Sequence, residues 1–438
     1  MSFSHLGLSP PLIRALTERG YGEPTPVQEA VIPVVRRGGD VWAQAQTGSG
    51  KTAAFALPIL EGLLAPTLNS ERRSGALILV PTRELAVQIG EAFRSYAQFF
   101  PVKLKIITAI GGVSINPQML ALRGSADVLV ATPGRLLDLV ERHAVRLAGF
   151  RTLVLDEADR LLALGFADEL GRIVAQLPPQ RQSLLISATF PPEVEALANE
   201  LLRDPVKIVI ESTPTDAPMI VERAIEVDVS QRTQVLRHLL NAHAWSQVLV
   251  FVATKYATEH VAEKLRRTEI AAGALHGELS QGARAQAMAD FRSGKLRVLV
   301  ATDLAARGID IAQLSAVVNF DLPRSAVDYT HRIGRTGRAG ESGVAISFVS
   351  ASTHAHFSLI AKRHDRPISR EQLAGFEPTE TELPDSASTG GVKGKRKSKK
   401  DKLREAEVRA ANPLAQEVKV TPASSFRWHR SPTARRSR

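Results

Sequence analysis

The feature of this sequence that most constrains its fold is a repeated alternation of short apolar segments with segments of helical period. The first run contains the apolar segments VWAQA, ALILV, DVLVA, TLVLD and SLLISA. The second run contains QVLVFVA, IAAGAL, LRVLVA, AVVNF and GVAISFV. Short apolar segments that are separated by helices are typical of strands buried on both faces of a parallel sheet. The sequence therefore predicts an α/β fold with two parallel sheets.

The segment STPTDAP, residues 212–218, separates the two runs, and its Pro and Thr content favours a linker. We expect an N-terminal domain over residues 1–210, a linker over 211–222 and a C-terminal domain over 223–365. Beyond these domains, in residues 366–438, the periodicity fades and charged and small residues dominate. Such a composition buries too little apolar surface to offset the entropy of ordering, so we expect a disordered tail.

The net charge of +11 lies entirely in residues 391–438 of this tail. Residues 391–438 contain 15 Lys or Arg and 4 Asp or Glu, so the rest of the chain carries equal numbers of basic and acidic residues. A body without net charge attracts a polyanion only through a local patch. The basic tail predicts a flexible tether for RNA without sequence preference, and a tail that only improves solubility is the alternative.

Composition excludes several classes of chemistry. The chain has no cysteine, which rules out disulfides, iron–sulfur clusters and thiol nucleophiles. His276 and His331 each lack a second ligand at zinc spacing, so we expect both to be structural. The longest apolar stretch, around AAFALPILEGLLA, contains Pro58 and Glu61 and is too short to span a bilayer. The opening MSFSHLGLSP lacks a secretory pattern, and we expect a cytoplasmic protein that contacts no membrane.

The strongest local motif is AQTGSGKT at residues 45–52, between a strand and a helix. Its glycines let the backbone approach phosphate oxygens, and the following helix start adds a positive end. Lys51 is placed to reach the β and γ phosphates of ATP, and Thr52 to bind Mg²⁺. A strict phosphate loop would begin with Gly where this chain has Ala45. The predicted ATP contacts are Ala45, Gln46, Thr47, Gly48, Ser49, Gly50, Lys51 and Thr52.

A second motif, DEAD at residues 156–159, ends the apolar segment TLVL. The carboxyl end of a parallel strand is where such sheets bind ligands. Asp156 is therefore a predicted Mg²⁺ partner, and Glu157 a predicted base that orients and deprotonates the attacking water. Alone, such residues would more often form a solvated helix start, but the phosphate loop in the same domain favours a catalytic role.

Seven further motifs accompany these two. They are PTPVQ (24–28), PTRELA (81–86), GG (111–112), TPGR (132–135), SAT (187–189), ATDLAARGID (301–310) and HRIGRTGR (331–338). In this order the chain resembles the DEAD-box RNA helicases over roughly residues 1 to 350. The opening MSF…LGLS and the Lys-rich tail resemble the bacterial RhlE-like branch. The resemblance implies two tandem RecA-like domains with ATP in the cleft between them.

The resemblance implies roles for further residues of the ATP site. Gln28 matches the N6 and N7 edge of adenine with its amide, Phe3 stacks on the base and Asp310 contacts the ribose. Arg335 and Arg338 are three apart, which predicts one face of a helix. By resemblance they are arginine fingers that the second domain directs at the γ-phosphate.

The resemblance also implies an RNA site and its connection to hydrolysis. The hydroxyls of Ser187 and Thr189 link hydrolysis to work on RNA, with helix capping as the alternative. The implied contacts to the sugar–phosphate backbone read no base sequence, and the choice of RNA over DNA rests on the 2′-hydroxyl. These contacts are Arg83, Gly112, Thr132, Arg135, Arg284 and Thr302.

The expected function is that of an RNA-dependent ATPase and ATP-dependent RNA helicase, with ATP and Mg²⁺ as ligands. Closure of the two domains on ATP and RNA would separate or remodel short duplexes. Two alternatives stay open: an ATP-gated RNA clamp or scaffold with little unwinding, and a DNA-directed translocase of the same superfamily. Ribosomal precursors and the RNA-decay machinery are the expected partners in the cell.

Overall fold

The computed structural model describes residues 2–45, 48–64, 75–210, 220–306, 314–337, 342–364 and 368–380. The predictions for Gln46, Thr47, Asp310 and Arg338, for most of the linker and for the basic tail fall on residues outside these ranges.

The first domain is built around a seven-stranded sheet whose pairings are all parallel. Its strands are β1 Val41–Gln44, β2 Gly75–Leu79, β3 Ile106–Ala109, β4 Val128–Ala131, β5 Phe150–Asp156, β6 Gln182–Ser187 and β7 Val206–Val209. Their spatial order is β3-β4-β2-β5-β6-β1-β7. The helices are α1 Pro10–Glu18, α2 Pro26–Arg36, α3 Lys51–Leu64, α4 Arg83–Tyr96, α5 Ile115–Leu122, α6 Pro133–Glu141, α7 Ala158–Ala163, α8 Ala167–Val174 and α9 Pro192–Leu201.

The second domain repeats this design with another seven-stranded parallel sheet. Its strands are β8 Ile220–Glu226, β9 Val248–Val252, β10 Ala272–Leu275, β11 Val298–Thr302, β12 Ala316–Asn319, β13 Gly343–Val349 and β14 Ser369–Glu371. Their spatial order is β10-β11-β9-β12-β13-β8-β14. The helices are α10 Arg232–Ala242, α11 Lys255–Arg266, α12 Gln281–Arg292, α13 Asp303–Ala306, α14 Ala326–Ile333 and α15 His354–His364.

Each sheet is covered by hydrophobic side chains on both faces. In β4, Val128 and Val130 belong to one core cluster, whereas Leu129 and Ala131 belong to the cluster on the opposite face. Alternate side chains of a strand point to opposite faces, so a continuous apolar segment is what a doubly covered strand requires. The prediction of two parallel α/β sheets is confirmed. Over the ranges described, no helix is both long enough and apolar enough to cross a bilayer.

The bounds of the second domain differ from the predicted ones at both ends. β8 begins at Ile220, inside the predicted linker, and residues 368–380, which we call the C-terminal strap, extend the domain beyond residue 365. β14 of the strap pairs with β8, and Glu371 accepts a hydrogen bond from Arg223 at 2.6 Å. Both strands carry charged residues because they lie at or near the open edge of the sheet, which hides the apolar pattern that identified the inner strands.

Candidate active site between the domains

The topology divides the predicted site residues of the first domain into two neighbouring groups. β5, β6 and β1 are adjacent, and the DEAD motif, SAT and the phosphate loop follow them in turn. β3, β4 and β2 are also adjacent, and Gly112, Thr132 and Arg83 follow these strands. Because all the strands are parallel, every one of these residues lies along the carboxyl edge of one sheet. The predicted ATP and RNA contacts are therefore side by side.

In the phosphate loop, the lysine side chain is hydrogen-bonded to the backbone of the same loop. Lys51 is 8% exposed and its Nζ donates to the carbonyl of Ala45 at 2.9 Å. Gly50 has a φ of +92°, and a Cβ at this position would overlap the amide nitrogen of Gln28. Glycine is required here for both reasons. The loop thus holds the Lys51 ammonium at the base of the site, beside the start of α3.

The segment PTPVQ is tied directly to this loop. The Oε1 of Gln28 accepts from the Thr25 amide at 3.0 Å, and its Nε2 donates to the Gly50 carbonyl at 3.2 Å. Thr25 donates in turn to the Ser49 carbonyl at 2.8 Å. Each polar atom of the Gln28 amide therefore has one protein partner and keeps one further donor or acceptor position, and contact with adenine stays a prediction. Phe3 is 4% exposed within the core of the first domain, so its stacking on a base also stays a prediction.

Asp156 is a buried carboxylate, and few hydrogen bonds replace its lost hydration. It is 3% exposed, and its Oδ1 accepts from the Glu157 amide at 3.0 Å. Burial raises the pKa of Asp156 to about 6, and the positive charge of Lys51 opposes that rise. A desolvated carboxylate next to a phosphate loop suits a divalent cation, because the cation replaces the lost hydration. Asp156 and Thr52 are the residues that would hold Mg²⁺.

Glu157 adopts a backbone conformation that is rare for its type. Its φ and ψ are both 52°, in the left-handed region, where it caps the start of α7. This conformation costs a non-glycine residue about 1 kcal/mol or more and is found at functional sites. Its side chain lines the space between the two domains, as a base acting on a water near the γ-phosphate requires.

SAT is bonded to the DEAD motif through Asp159. The amide of Asp159 donates to Ser187 Oγ at 3.2 Å, and Thr189 Oγ1 donates to Asp159 Oδ2 at 2.7 Å. The Ser187 contact caps the first turn of α7, in keeping with the capping alternative. The Thr189 contact joins two motifs that follow different strands, as a coupling role requires. The sequence did not single out Asp159 for this position.

The interdomain cleft is lined by both domains. Its walls include Lys51 and Glu157 from the first domain, and Asp303, His331, Arg332 and Arg335 from the second. The expectation that Arg335 lies on a helix is wrong: α14 ends at Ile333, and Arg335 lies in the turn that follows. It nevertheless reaches the cleft. Arg332, to which no sequence pattern assigned a role, is 3% exposed and donates to both carboxylate oxygens of Asp303, at 2.5 and 2.7 Å.

The predicted RNA contacts of the first domain form one group. A Cβ at Gly112, where φ is +75°, would overlap the Arg83 guanidinium. Arg135 donates to the Val113 carbonyl at 2.9 Å, whereas its Nε and Nη1 are buried without a hydrogen bond. Thr132 caps α6 nearby. Arg135 Nε also lies 3.5 Å from Asp138 Oδ2, so contact of Arg135 with a phosphate stays a prediction that requires the side chain to move.

Arg284, a predicted RNA contact, lies buried between the two domains. It is 5% exposed, and its Nε donates to Glu84 of the first domain at 2.8 Å and its Nη1 to the His276 carbonyl at 2.9 Å. In this conformation Arg284 joins the domains and does not present a free guanidinium to a strand. Thr302, at the end of β11, is half-buried. The RNA contacts of the second domain stay predictions.

Comparison with known proteins agrees with this geometry. Residues 25–197 match the family of DEAD/DEAH box helicases, and residues 231–340 match the helicase conserved C-terminal domain. ATP-dependent RNA helicase DeaD of Mycobacterium tuberculosis is 40% identical over 87% of this chain and 66% of its own length. ATP-dependent rRNA helicase RRP3 of Gibberella zeae is 39% identical over 86% of this chain and 78% of its own. The chain thus spans just under two thirds of the length of the mycobacterial relative.

A solved structure has the same fold. Saccharomyces cerevisiae Dbp5 bound to RNA and ADP BeF3 is 32% identical, covers 85% of this chain and 95% of its own, and superposes with a TM-score of 0.74. This agreement confirms the prediction of two tandem RecA-like domains.

Proposed function

Because this chain belongs to the DEAD-box family of ATP-dependent RNA helicases, we propose that it is an RNA-dependent ATPase that locally separates or remodels RNA duplexes. The observation that carries the proposal is the interdomain cleft, in which Lys51 and Glu157 of the first domain face Arg335 of the second. Each domain holds only half of an ATP site. Turnover therefore depends on closure, and a ligand that favours closure activates the enzyme.

Each residue of the cleft has a different role in ATP hydrolysis. Lys51 holds the β and γ phosphates. Glu157 orients a water and accepts its proton as the water attacks the γ-phosphorus, the bond from this phosphorus to the β–γ bridging oxygen breaks, and ADP leaves. Arg335 stabilises the charge that develops on the γ-phosphate oxygens, and we infer that Arg338 assists it. Mg²⁺, held by Asp156 and Thr52, would neutralise phosphate charge. Phosphate release removes these contacts, and the cleft reopens.

Strand separation follows from closure. The predicted RNA contacts lie beside the ATP residues along the same sheet edge, and further predicted contacts lie on the second domain. A closed groove that fits one bent strand excludes the complement, so a few base pairs open without base-specific contacts. RNA is favoured over DNA where the groove contacts the 2′-hydroxyl.

One comparison tests the proposal against its alternatives. At saturating ATP, we expect single-stranded RNA to raise the rate of phosphate release at least tenfold, and DNA of the same length and sequence to raise it little. A short RNA duplex with a single-stranded extension should separate only with hydrolysable ATP or its closed-state analogue. Equal stimulation by DNA indicates a translocase, and ATP-dependent RNA binding without duplex separation indicates a clamp. If neither RNA nor DNA changes the rate of ATP turnover, the proposal is contradicted.

The C-terminal strap supports an auxiliary role for the basic tail. The amides of Thr379 and Glu380 donate to the Asp228 carboxylate at 3.0 to 3.2 Å. Asp228 follows β8, and Arg232 of the adjacent α10 donates to Asp321, which follows β12. The strap therefore ends at the carboxyl edge of the second sheet, the edge that faces the ligands. The basic residues 391–438 follow the strap in the chain, and this supports their proposed role as an RNA tether.

Deleting residues 391–438 should weaken RNA binding about tenfold and flatten its salt dependence, because each lost phosphate contact lowers the slope of log affinity against log salt by about 0.7. The rate of ATP hydrolysis at saturating RNA should stay near the parent value. A chain in which a Gly/Ser segment of equal length replaces the tail isolates the effect of charge. An unchanged slope in both variants contradicts the tether and leaves a solubility role.

We propose the RhlE-like bacterial branch for this chain, on the opening MSF…LGLS and the Lys-rich tail, and we propose a cytoplasmic location. Ribosomal precursors and transcripts under decay are the substrates we infer. Crosslinking the Glu157→Gln protein to RNA in cells and sequencing the bound RNA tests this inference, because a variant that closes without hydrolysis retains its substrate. If the bound RNA contains neither ribosomal precursors nor transcripts under decay, the inference about substrates is contradicted.

A further inference from the structure

A second ion pair joins the domains, beside the interdomain cleft. The Nη1 of Arg160 in α7 donates to Oδ1 of Asp328 in α14 at 2.8 Å. The two side chains are 12% and 21% exposed, so the pair is largely removed from solvent. We call Arg160 and Asp328 the cleft pair. Both residues line the interdomain cleft and also a second cavity formed with Phe190 and Val327, so the pair separates the two spaces.

Each partner is anchored to part of the catalytic machinery. Arg160 directly follows Asp159, whose carboxylate accepts from Thr189. Asp328 lies in the first turn of α14, where its amide donates to Ser325 Oγ at 3.1 Å and its Oδ2 accepts from the same hydroxyl at 2.9 Å. The helix that starts there carries Arg332, and the turn after it carries Arg335. The cleft pair therefore connects the SAT and DEAD contacts with the helix that directs Arg335.

We propose that the cleft pair is a closure-dependent positioning contact: it forms only when the domains face each other, and it fixes the start of α14 so that Arg335 points at the γ-phosphate. This inference rests on the proposed function and adds to it a regulatory contact outside the ATP and RNA contacts. Neither Arg160 nor Asp328 touches nucleotide or RNA in this scheme. Both act through α14.

The partial burial of the cleft pair determines how much the pair stabilises the closed arrangement of the domains. Fully exposed ion pairs contribute little because solvent and salt screen them. Arg160 and Asp328 are mostly screened from water only in the closed arrangement, since they belong to different domains. Opening exposes both charges to water again. The contact therefore favours the closed state over the open one, and any change in it shifts the population that binds RNA tightly.

The test begins with the parent protein, which must show RNA-stimulated ATPase activity; if it does not, the proposed function fails and not this inference. In Asp328→Asn and Arg160→Ala, we expect the RNA concentration for half-maximal stimulation to rise about tenfold. ATP binding without RNA should be unchanged, because the phosphate-loop contacts lie within the first domain. A pair of dyes, one on each domain, should report a smaller closed fraction with RNA, ADP and beryllium fluoride.

A double-mutant cycle separates positioning from general damage. If the residues act as one contact, Arg160→Ala/Asp328→Asn should be no worse than either single variant. Arg160→Lys should restore most of the RNA response, since the contact is a single N–O pair. Ser325→Ala serves as the matched control, because it removes the capping hydroxyl at the same helix start and leaves the charges in place.

Three results overturn the inference. The first is an RNA response and closed fraction in Asp328→Asn equal to those of the parent. The second is additive losses in the double variant, which indicate two independent structural roles. The third is a loss in Ser325→Ala as large as that in Asp328→Asn, which indicates that the cap of α14 and not the ion pair matters. Thermal unfolding of each variant shows that it is folded before these comparisons are made.

Discussion

Replacing Glu157 with glutamine is expected to lower the turnover of ATP about 10² to 10⁴-fold, the usual contribution of a general base. The amide keeps the size and the left-handed backbone of the residue but cannot accept the proton of the attacking water. ATP binding should be retained, because Lys51 and the phosphate loop are untouched. The variant should therefore close on ATP and RNA and release RNA slowly, which single-turnover hydrolysis and RNA dissociation rates measure.

A matched control sharpens this experiment. Glu193→Gln makes the same chemical change at an exposed position in the first turn of α9, away from the cleft, and should leave turnover unchanged. If Glu157→Gln hydrolysed ATP at the parent rate, the water-activating role would be wrong. If it lost ATP binding, the change would have disturbed the loop, and hydrolysis could not be assigned to Glu157.

Replacing Asp156 with asparagine should have opposite effects on activity and on stability. Activity should be lost, because the variant lacks the carboxylate that would hold Mg²⁺. Stability should rise, because burial moves the pKa of Asp156 from 3.8 to about 6. At 1.36 kcal/mol per pKa unit, the charged form is disfavoured in the folded state by about 3 kcal/mol. Asparagine removes that charge while its side-chain oxygen still accepts from the Glu157 amide.

The pH dependence of this gain has a defined sign. Since the folded pKa of Asp156 is raised, the folded state binds more protons than the unfolded state between about pH 4 and pH 6, and the parent loses stability as the pH rises through that window. The variant should therefore be more stable by about 2 to 3 kcal/mol above pH 6. The difference should vanish below about pH 4, where the carboxyl is protonated in both states.

Urea unfolding followed by the fluorescence of Trp42 measures this difference in the first domain, in a background with Trp245→Phe and Trp428→Phe. Asp168→Asn, at an exposed site in the first turn of α8, is the control and should change the unfolding free energy by a few tenths of a kcal/mol. An Asp156→Asn protein no more stable than the parent at pH 7.5 would show that the buried carboxylate is compensated in solution.

The parts of this protein that the sequence predicted are those set by neighbours in the chain. Apolar runs such as ALILV and TLVLD predicted inner parallel strands, because a strand covered on both faces needs apolar side chains at every position. Lys51 and Glu157 were found because a phosphate loop and a carboxylate after a strand are local patterns. The strands β3, β7, β8 and β14 were missed. β3, β7 and β14 are edge strands and β8 lies next to one, and charged side chains in or beside these strands interrupt the apolar pattern.

The remaining features depend on the packing of segments that are far apart in the chain. Arg160 and Asp328 are separated by 168 positions, and Glu84 and Arg284 by 200, so no local period relates them. The raised pKa of Asp156 depends on the burial of β5 within the sheet, and the burial of Arg284 depends on how the domains meet. Sequence alone determined the inner strands and the motifs that carry chemistry, because both follow from short-range patterns. Only the tertiary structure decided which charges meet across the cleft, because Coulomb interactions and desolvation depend on distance in space.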